Sequence, residues 1–169
     1  MARALTELVL DGLEFARCGR ALSGIVSFAE LPRLADVLAD VLADDCGHFT
    51  VSLEGHRDDE GKSWLDLKIS GEPMVYCQRC LAGVSFPLSI ESRLQLIPPG
   101  GQWPDDDLED DSCDAISAEN ALSVLSLVED EVLLALPIAP RHEQCEPPGA
   151  AVNEYGASPF AVLAAFRKH

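Results

Sequence analysis

Apolar and polar side chains alternate along three stretches in the middle of the chain. Every second residue is apolar in 49–54, in 65–70 and in 84–91. A period of two is typical of a β-strand with one buried face and one face in water. Because the stretches follow one another with short connections, they predict neighbouring antiparallel strands. Two further short strands are predicted over 5–10 and 23–28, where apolar runs are punctuated by glycines.

Apolar residues at helical spacing predict helices on either side of these strands. The first covers Leu31–Ala43, with Pro32 in its first turn, where the missing N–H is tolerated. The second, over 120–136, has the clearest apolar stripe and ends at Pro137. A third, joined by a flexible tether, is predicted over 158–168. It is too short to be stable alone, so it must dock on its own body or on a partner.

Residues 98–119 interrupt this pattern. They open with two prolines and two glycines and contain eight acidic residues without a lysine or arginine. Such a composition predicts an acidic surface loop. The chain of 169 residues, 47% of them hydrophobic, is long enough for one domain with a sizeable core. We therefore predict a single α+β domain over 1–169, an antiparallel β meander or partly open barrel packed by two or three helices.

The net charge of −17 restricts the class of partner. RNA binding draws much of its affinity from lysine and arginine contacts to phosphate, so an acidic surface should repel a bare phosphate backbone. The same charge attracts basic proteins and speeds their encounter. The charge therefore favours a basic protein over bare nucleic acid as the tighter partner.

Two couplets with the same spacing carry the candidate chemistry. Two residues separate Cys77 from Cys80, and two separate His142 from Cys145. This spacing lets both side chains of a couplet converge on one ion, and zinc accepts thiolate and imidazole in Cys₃His sets. Because the first couplet lies in a strand–turn–strand pattern, we predict a structural zinc site with a zinc-knuckle-like turn. The alternatives are half-buried thiols beside a surface histidine, or a redox dithiol formed by Cys77 and Cys80.

Three phrases of the sequence, in order, resemble a known family: Val75–Cys80, Leu127–Pro140 running into His142 and Cys145, and Ser158–Ala164. Together they are similar to the bacterial YceD family, the large ribosomal RNA subunit accumulation proteins. The resemblance implies a ribosome biogenesis role in the synthesis, processing or stability of large-subunit (23S) ribosomal RNA. It implies a large-subunit ribosomal precursor as the partner, through its RNA, its basic proteins or both, and no known reaction.

Four residues are candidates for binding that partner. Arg79 lies inside the first couplet and Arg141 precedes the second, so the two arginines meet if the couplets do. The planar guanidinium suits phosphate, whereas the alternative is that each arginine pairs with a nearby carboxylate. Phe160 and Leu163, in the last predicted helix, are the candidates for an apolar contact.

Recognisable catalytic patterns are absent from the sequence. It contains no phosphate-binding loop, no dinucleotide-binding turn, no H-E-x-x-H zinc helix and no nucleophile elbow. Glu129, Asp130 and Glu131 invite a catalytic interpretation, but consecutive helix residues point about 100° apart, so we predict a solvated helix edge. We expect binding without catalysis and without a small-molecule substrate, with the redox dithiol as the alternative function.

The N-terminus and the lengths of the apolar runs bear on location. Residues 1–7 lack the apolar centre of a signal peptide, and no uninterrupted apolar run reaches the ~18 residues that a membrane span needs. We expect a cytoplasmic protein without a membrane partner. In that compartment cysteines stay reduced and available to a metal.

Overall fold

The structure of the chain is a computed structural model that describes residue 5 and residues 9–38, 47–104, 113–118 and 121–148. Within these residues the order of elements is β1 (Val9–Leu10), α1 (Gly12–Arg17), β2 (Ala21–Ser27), β3 (His48–Arg57), β4 (Ser63–Gly71), β5 (Met74–Tyr76), β6 (Gly83–Ser85), β7 (Leu88–Ile97), β8 (Asp114–Ser117), β9 (Leu122–Ser123) and α2 (Val124–Ala135). Two short 3₁₀ helices, Phe28–Glu30 and Pro32–Leu34, follow β2.

A five-stranded sheet with the strand order β2-β3-β4-β7-β8 forms the centre of the fold. The first four of these strands pair antiparallel, and β8 adds a parallel edge to β7. Two small sheets accompany it, β1 with β9 and β5 with β6. The predicted α+β class is therefore confirmed, with mostly antiparallel pairing. The barrel alternative is not confirmed, because in the described part of the chain β2 and β8 are edges that do not pair with each other.

One face of this sheet carries the core. The apolar residues of the alternating pattern, such as Phe49 and Leu53, are fully buried, while the polar residues between them are exposed or half-exposed. On the buried face, α1 packs against β3 and α2 against β7. Gly55 permits the close approach of α1, since a Cβ atom there would lie 2.6 Å from the Phe15 ring and 2.9 Å from the backbone of Ala16.

The β5–β6 hairpin leaves the sheet between β4 and β7. The single strand predicted over 84–91 is divided at Pro87, so that its first part pairs with β5 and its second part with β4. Pro87 has no N–H to donate to a ladder, and the N–H of Phe86 donates to the carbonyl of Pro73 at 2.9 Å. The hairpin therefore projects from one end of the sheet, with the first cysteine couplet at its turn.

One helix prediction is wrong, and one helix has no signal in the sequence. In the described part of the helix predicted over Leu31–Ala43, the chain forms the 3₁₀ helix at Pro32–Leu34 and then an isolated bridge between Leu38 and Val75. The apolar residues of this stretch are buried in the core, so their spacing reflects packing and not a helical period. The sequence pattern does not predict α1, because six residues are too few to show a period of 3.6.

The C-terminal half needs one further correction. The stretch 98–119, predicted as a loop, contains β8 at Asp114–Ser117. Of the helix predicted over 120–136, Val124–Ala135 is observed as α2, whereas Leu122–Ser123 forms β9. The side chain of Ser123 caps the N-terminus of α2. The helix predicted over 158–168 lies outside the described residues.

Glu129 does not lie on a solvated helix edge as predicted. Its side chain is 4% exposed, and its carboxylate accepts the backbone N–H of Arg33 at 2.8 Å. Asp130 is exposed and pairs with the guanidinium of Arg33, while Glu131 accepts the hydroxyl of Ser92 on β7. Glu129 and Asp130 therefore attach α2 to Arg33, while Glu131 attaches it to β7.

Candidate metal centre

The turn between β5 and β6 brings Cys77 and Cys80 together. The N–H of Leu81 donates to the carbonyl of Cys77, and the N–H of Cys77 donates to the carbonyl of Ala82, both at 2.9 Å. Leu81 has a φ of 63°, a left-handed conformation that reverses the chain after the second cysteine. The backbone N–H of Arg79 also donates to Cys77 Sγ at 3.4 Å. The turn thus holds both thiols on one side.

The second couplet reaches this turn from the end of α2. The carbonyl of Pro140 accepts the N–H of Gln78 at 2.8 Å, which fixes the segment after α2 beside the first couplet. The guanidinium of Arg79 donates to the carbonyl of Cys145 at 3.2 Å and provides a second tie between the two segments. These two hydrogen bonds place His142 and Cys145 at the turn.

The four predicted ligands form one cluster. The sulfur atoms of Cys77, Cys80 and Cys145 and a ring nitrogen of His142 all lie within 4.8 Å of one another. Cys80 Sγ is 3.4 Å from His142 Nδ1, and Cys77 Sγ is 3.7 Å from Cys145 Sγ. Sulfur and nitrogen ligands that share a tetrahedral zinc ion are about 3.3–3.8 Å apart. These two separations therefore match those between ligands of one tetrahedral ion.

A backbone carbonyl orients His142. Its Nε2 atom lies 3.1 Å from the carbonyl oxygen of Gly83, and only a protonated Nε2 can donate to that oxygen. The lone pair of Nδ1 then remains available on the side of Cys80. Metal-binding histidines typically donate their other ring N–H to a carbonyl or a carboxylate. His142 is thus held in the tautomer that a metal ligand requires.

The thiols of Cys77 and Cys145 differ in acidity. Burial acts to raise the pKa of Cys77, but hydrogen bonds from backbone N–H groups, first that of Cys80 and then those of His142 and Arg79, stabilise its thiolate and lower the pKa to about 5. Burial, together with hydrogen bonds to neighbouring sulfurs, raises the pKa of Cys145. In the metal-free protein Cys145 therefore keeps its proton and donates it to the Cys77 thiolate. A metal ion would displace this proton.

The donor set fits a structural metal ion better than a redox dithiol. Three sulfurs and one imidazole nitrogen make a closed tetrahedral set of the kind that structural zinc adopts. Reactive thiols typically lie in partly exposed positions, often at a helix N-terminus, whereas Cys77 is fully buried and follows strand β5. The four residues could therefore hold a metal ion, and their chemistry favours zinc.

The four residues predicted to bind a partner differ in their exposure and in their contacts. Arg79 is half-buried, and its bond to the carbonyl of Cys145 makes it part of the site's framework. Arg141 is exposed. Phe160 and Leu163 lie outside the described residues. A binding role for these four residues remains a prediction.

Backbone groups complete the site, and no sequence pattern predicts them. The carbonyls of Gly83 and Pro140 orient His142 and the turn, yet a carbonyl is present at every residue. The left-handed residue after Cys80 could have been recognised if it were glycine, which adopts positive φ freely. Because residue 81 is leucine, the predicted turn gave no sign of its left-handed conformation.

Comparison with known proteins places the chain in a family. The pattern of the family described as "Large ribosomal RNA subunit accumulation protein YceD" matches residues 65–167, more than half of the chain and all four candidate ligands. The chain belongs to the YceD family. The resemblance carried by the three sequence phrases is therefore confirmed, and the YceD match includes the β5–β6 hairpin and α2.

Two relatives illustrate the range of similarity to known proteins. The Bacillus subtilis protein named uncharacterized protein YlbN is 30% identical over 105 residues, which are 62% of this chain and 58% of the relative. The large ribosomal RNA subunit accumulation protein YceD of Haemophilus influenzae is 27% identical over 177 residues, 97% of each chain. The chain thus spans little more than half of the first relative and nearly all of the second. No solved structure matches it.

The helices of this YceD-family chain are short. Among the residues that the structure describes, none of them has the length and apolar character needed to cross a membrane.

Proposed function

We propose that this chain is a cytoplasmic ribosome biogenesis factor that supports the synthesis, processing or stability of large-subunit (23S) ribosomal RNA. Membership of the YceD family over residues 65–167 carries the proposal, because the family description names accumulation of the large ribosomal RNA subunit. The Haemophilus relative, aligned over 97% of both chains, bears the same name. The chain acts by binding a large-subunit ribosomal precursor and not by catalysis.

In this proposal the metal centre is structural. Zinc held by Cys77, Cys80, His142 and Cys145 joins the β5–β6 hairpin to the segment after α2, across 68 residues between the outermost ligands. Metal binding contributes directly to folding free energy when the ligands come together only in the folded chain. Val75 anchors β5 in the main core, and the ion fixes the turn of the hairpin to the segment after α2.

Two observations support binding without catalysis. A closed Cys₃His set leaves no open position at which a metal could activate water or substrate. A cleft of about 430 Å³ near the β3–β4 turn is lined by cations that already have partners: Arg57 donates to the carbonyl of Gly61, and Lys62 pairs with Glu60. When a metal is bound by all four residues of the Cys₃His set, the Cys80 thiol and the His142 ring are not free to act as nucleophile and base.

The function is tested by deleting the gene and measuring mature ribosomal RNA. We expect the ratio of large-subunit to small-subunit RNA to fall in the deletion strain and to return with the wild-type gene. A normal ratio under both cold and optimal growth would contradict the proposal. Purifying the protein from cells with and without nuclease then separates partners held through RNA from partners held through protein.

A thiol–disulfide protein is the second candidate. The 3.7 Å separation of the Cys77 and Cys145 sulfurs and the lowered pKa of Cys77 favour it. Thiol titration across a series of glutathione redox buffers tests it. A reversible disulfide at cytoplasmic potentials, in protein purified without metal, would favour this function over the structural site.

A further inference from the structure

Leu81 occupies a position that gives a leucine no advantage within this chain. Its φ is 63°, in the left-handed region where glycine and asparagine are favoured over other residues. Its side chain is also 63% exposed, so it gains little from burial. The turn after Cys80 explains the left-handed backbone, but it does not explain a leucine there. Unfavourable backbone conformations of this kind concentrate at functional positions.

Other apolar side chains are exposed close to this turn. Tyr76, directly before Cys77, is 42% exposed. Ile138 is fully exposed and lies two residues before Pro140, whose carbonyl binds the N–H of Gln78. Leu81, Tyr76 and Ile138 each lie within two positions of a residue that the hydrogen bonds of the turn bring together. Exposed apolar groups on an otherwise polar surface are typical of interaction sites.

The charges around these apolar residues select the kind of partner. Glu143 and Glu146 are exposed on either side of Cys145, whereas Arg141 is the exposed cation of this segment. Arg79 is half-buried and donates to a backbone carbonyl. The whole chain carries −17. A phosphate backbone is repelled by such a surface, while a basic polypeptide is attracted to it.

We propose that Tyr76, Leu81, Ile138, Glu143 and Glu146 form a docking surface, the knuckle surface, for a basic segment of a protein partner. An apolar side chain of that segment covers Leu81, and its lysines and arginines face the two glutamates. The inference rests on the proposed function and specifies its partner as a basic protein of the large ribosomal subunit. The apolar contacts of the knuckle surface provide affinity, and its charges raise the association rate and provide selectivity.

The decisive substitution is Leu81→Asn, because asparagine tolerates positive φ and removes the apolar contact. The probes are the large-subunit ribosomal proteins, freed of RNA and tested one by one, and a transcript of the large-subunit RNA. We expect the variant to keep its metal and its Tm, or to raise the Tm, while affinity for a basic protein falls about tenfold or more. Leu81→Met keeps the apolar side chain and should bind as the wild type does. Ile25→Thr alters an equally exposed residue (63%) on β2 and serves as the control.

Arg141→Glu distinguishes the two classes of partner by the sign of its effect. A basic protein should bind this variant as tightly as the wild type or more tightly, since the surface becomes more acidic. A contact between Arg141 and phosphate would instead be lost.

Several results would overturn the inference. The first is that the wild-type protein binds none of the separated ribosomal proteins. The second is that Leu81→Asn binds its partner as tightly as the wild type does. The third is that the Tm of Leu81→Asn lies well below that of the wild type. Complementation keeps the proposed function separate. If Leu81→Asn restores the RNA ratio of a deletion strain as fully as the wild type, the knuckle surface is wrong and the function stands. If the deletion itself leaves the ratio normal, the proposed function fails.

Discussion

At the scale of single residues, the candidate metal centre shows which parts of a site a sequence can reveal. Cys77, Cys80, His142 and Cys145 are recognisable because their residue types and spacing match the geometry of zinc. The groups that orient them are backbone carbonyls and N–H donors, which residues of almost every type possess. The ligand set was therefore predictable from the sequence, and the tautomer of His142 was not.

The raised pKa of Cys145 makes metal binding dependent on pH. This thiol keeps its proton at neutral pH and must lose it to bind a metal, so protons compete with the ion. We expect the apparent zinc affinity to rise between pH 6 and pH 8 and to fall as the pH is lowered, with protons released on binding. Calorimetry in buffers of different ionisation enthalpy measures this release. Affinity that is independent of pH would contradict the assigned protonation of the thiols.

Glu129 allows a test of a single buried hydrogen bond. Glu129→Ala removes the acceptor of the Arg33 N–H and leaves this donor unpaired, which should lower the free energy of unfolding by about 1–3 kcal/mol. Glu129→Gln keeps an acceptor oxygen and should have a smaller effect. Asp130→Ala, at an exposed pair, is the control and should change stability by less than about 1 kcal/mol. Urea denaturation of the three variants gives the comparison, and equal losses in all three would show that burial of Glu129 is not decisive.

At the scale of elements, period-two patterns predicted strands well and helical spacing predicted helices unevenly. The alternation of apolar and polar residues around Phe49 and Leu67 predicts which residues face the core. In the structure the apolar residues lie on the buried face of the sheet and the polar residues on the other face. The leucines in 31–38 have helical spacing, but they are buried in the core by a stretch that contains a short 3₁₀ helix and no α-helix in its described part. The parallel pairing of β8 with β7 is a contact distant in sequence, and its local composition gave no sign of it.

The close packing of α1 against the sheet can be tested by substituting Gly55. A methyl group there would come within 2.6 Å of the Phe15 ring, so Gly55→Ala should displace α1 and lower the free energy of unfolding by about 1–3 kcal/mol. Ser52→Ala, on the same strand and on the opposite face of the sheet, serves as the control. Thermal denaturation of both variants measures the effect. A Gly55→Ala variant as stable as the wild type would mean that α1 does not pack as closely as described.

At the scale of the whole molecule, the metal centre joins segments that are far apart in sequence. Cys80→Ser should abolish stoichiometric zinc, since three ligands do not complete the tetrahedral set. The Tm should then fall by roughly 5–15 °C, because the bound ion no longer contributes its folding free energy. Cys18→Ser, at an exposed cysteine, should retain both zinc and Tm. Elemental analysis measures the zinc content and calorimetry measures the Tm of both variants. A Cys80→Ser protein with unchanged stability would contradict a structural metal.

The hydrogen bond from Gln78 to Pro140 has a consequence for the order of events during synthesis of this chain. When the β5–β6 hairpin emerges from the ribosome, the segment that contains Pro140, His142 and Cys145 has not yet been synthesised. The strands β7 and β8 and the helix α2 are synthesised before that segment. Contacts between such distant segments form late, because the chain between them must be ordered before they meet. In refolding followed by rapid mixing, zinc capture should therefore lag behind formation of the central sheet. The amide proton of Gln78 should be among the last to gain protection from exchange.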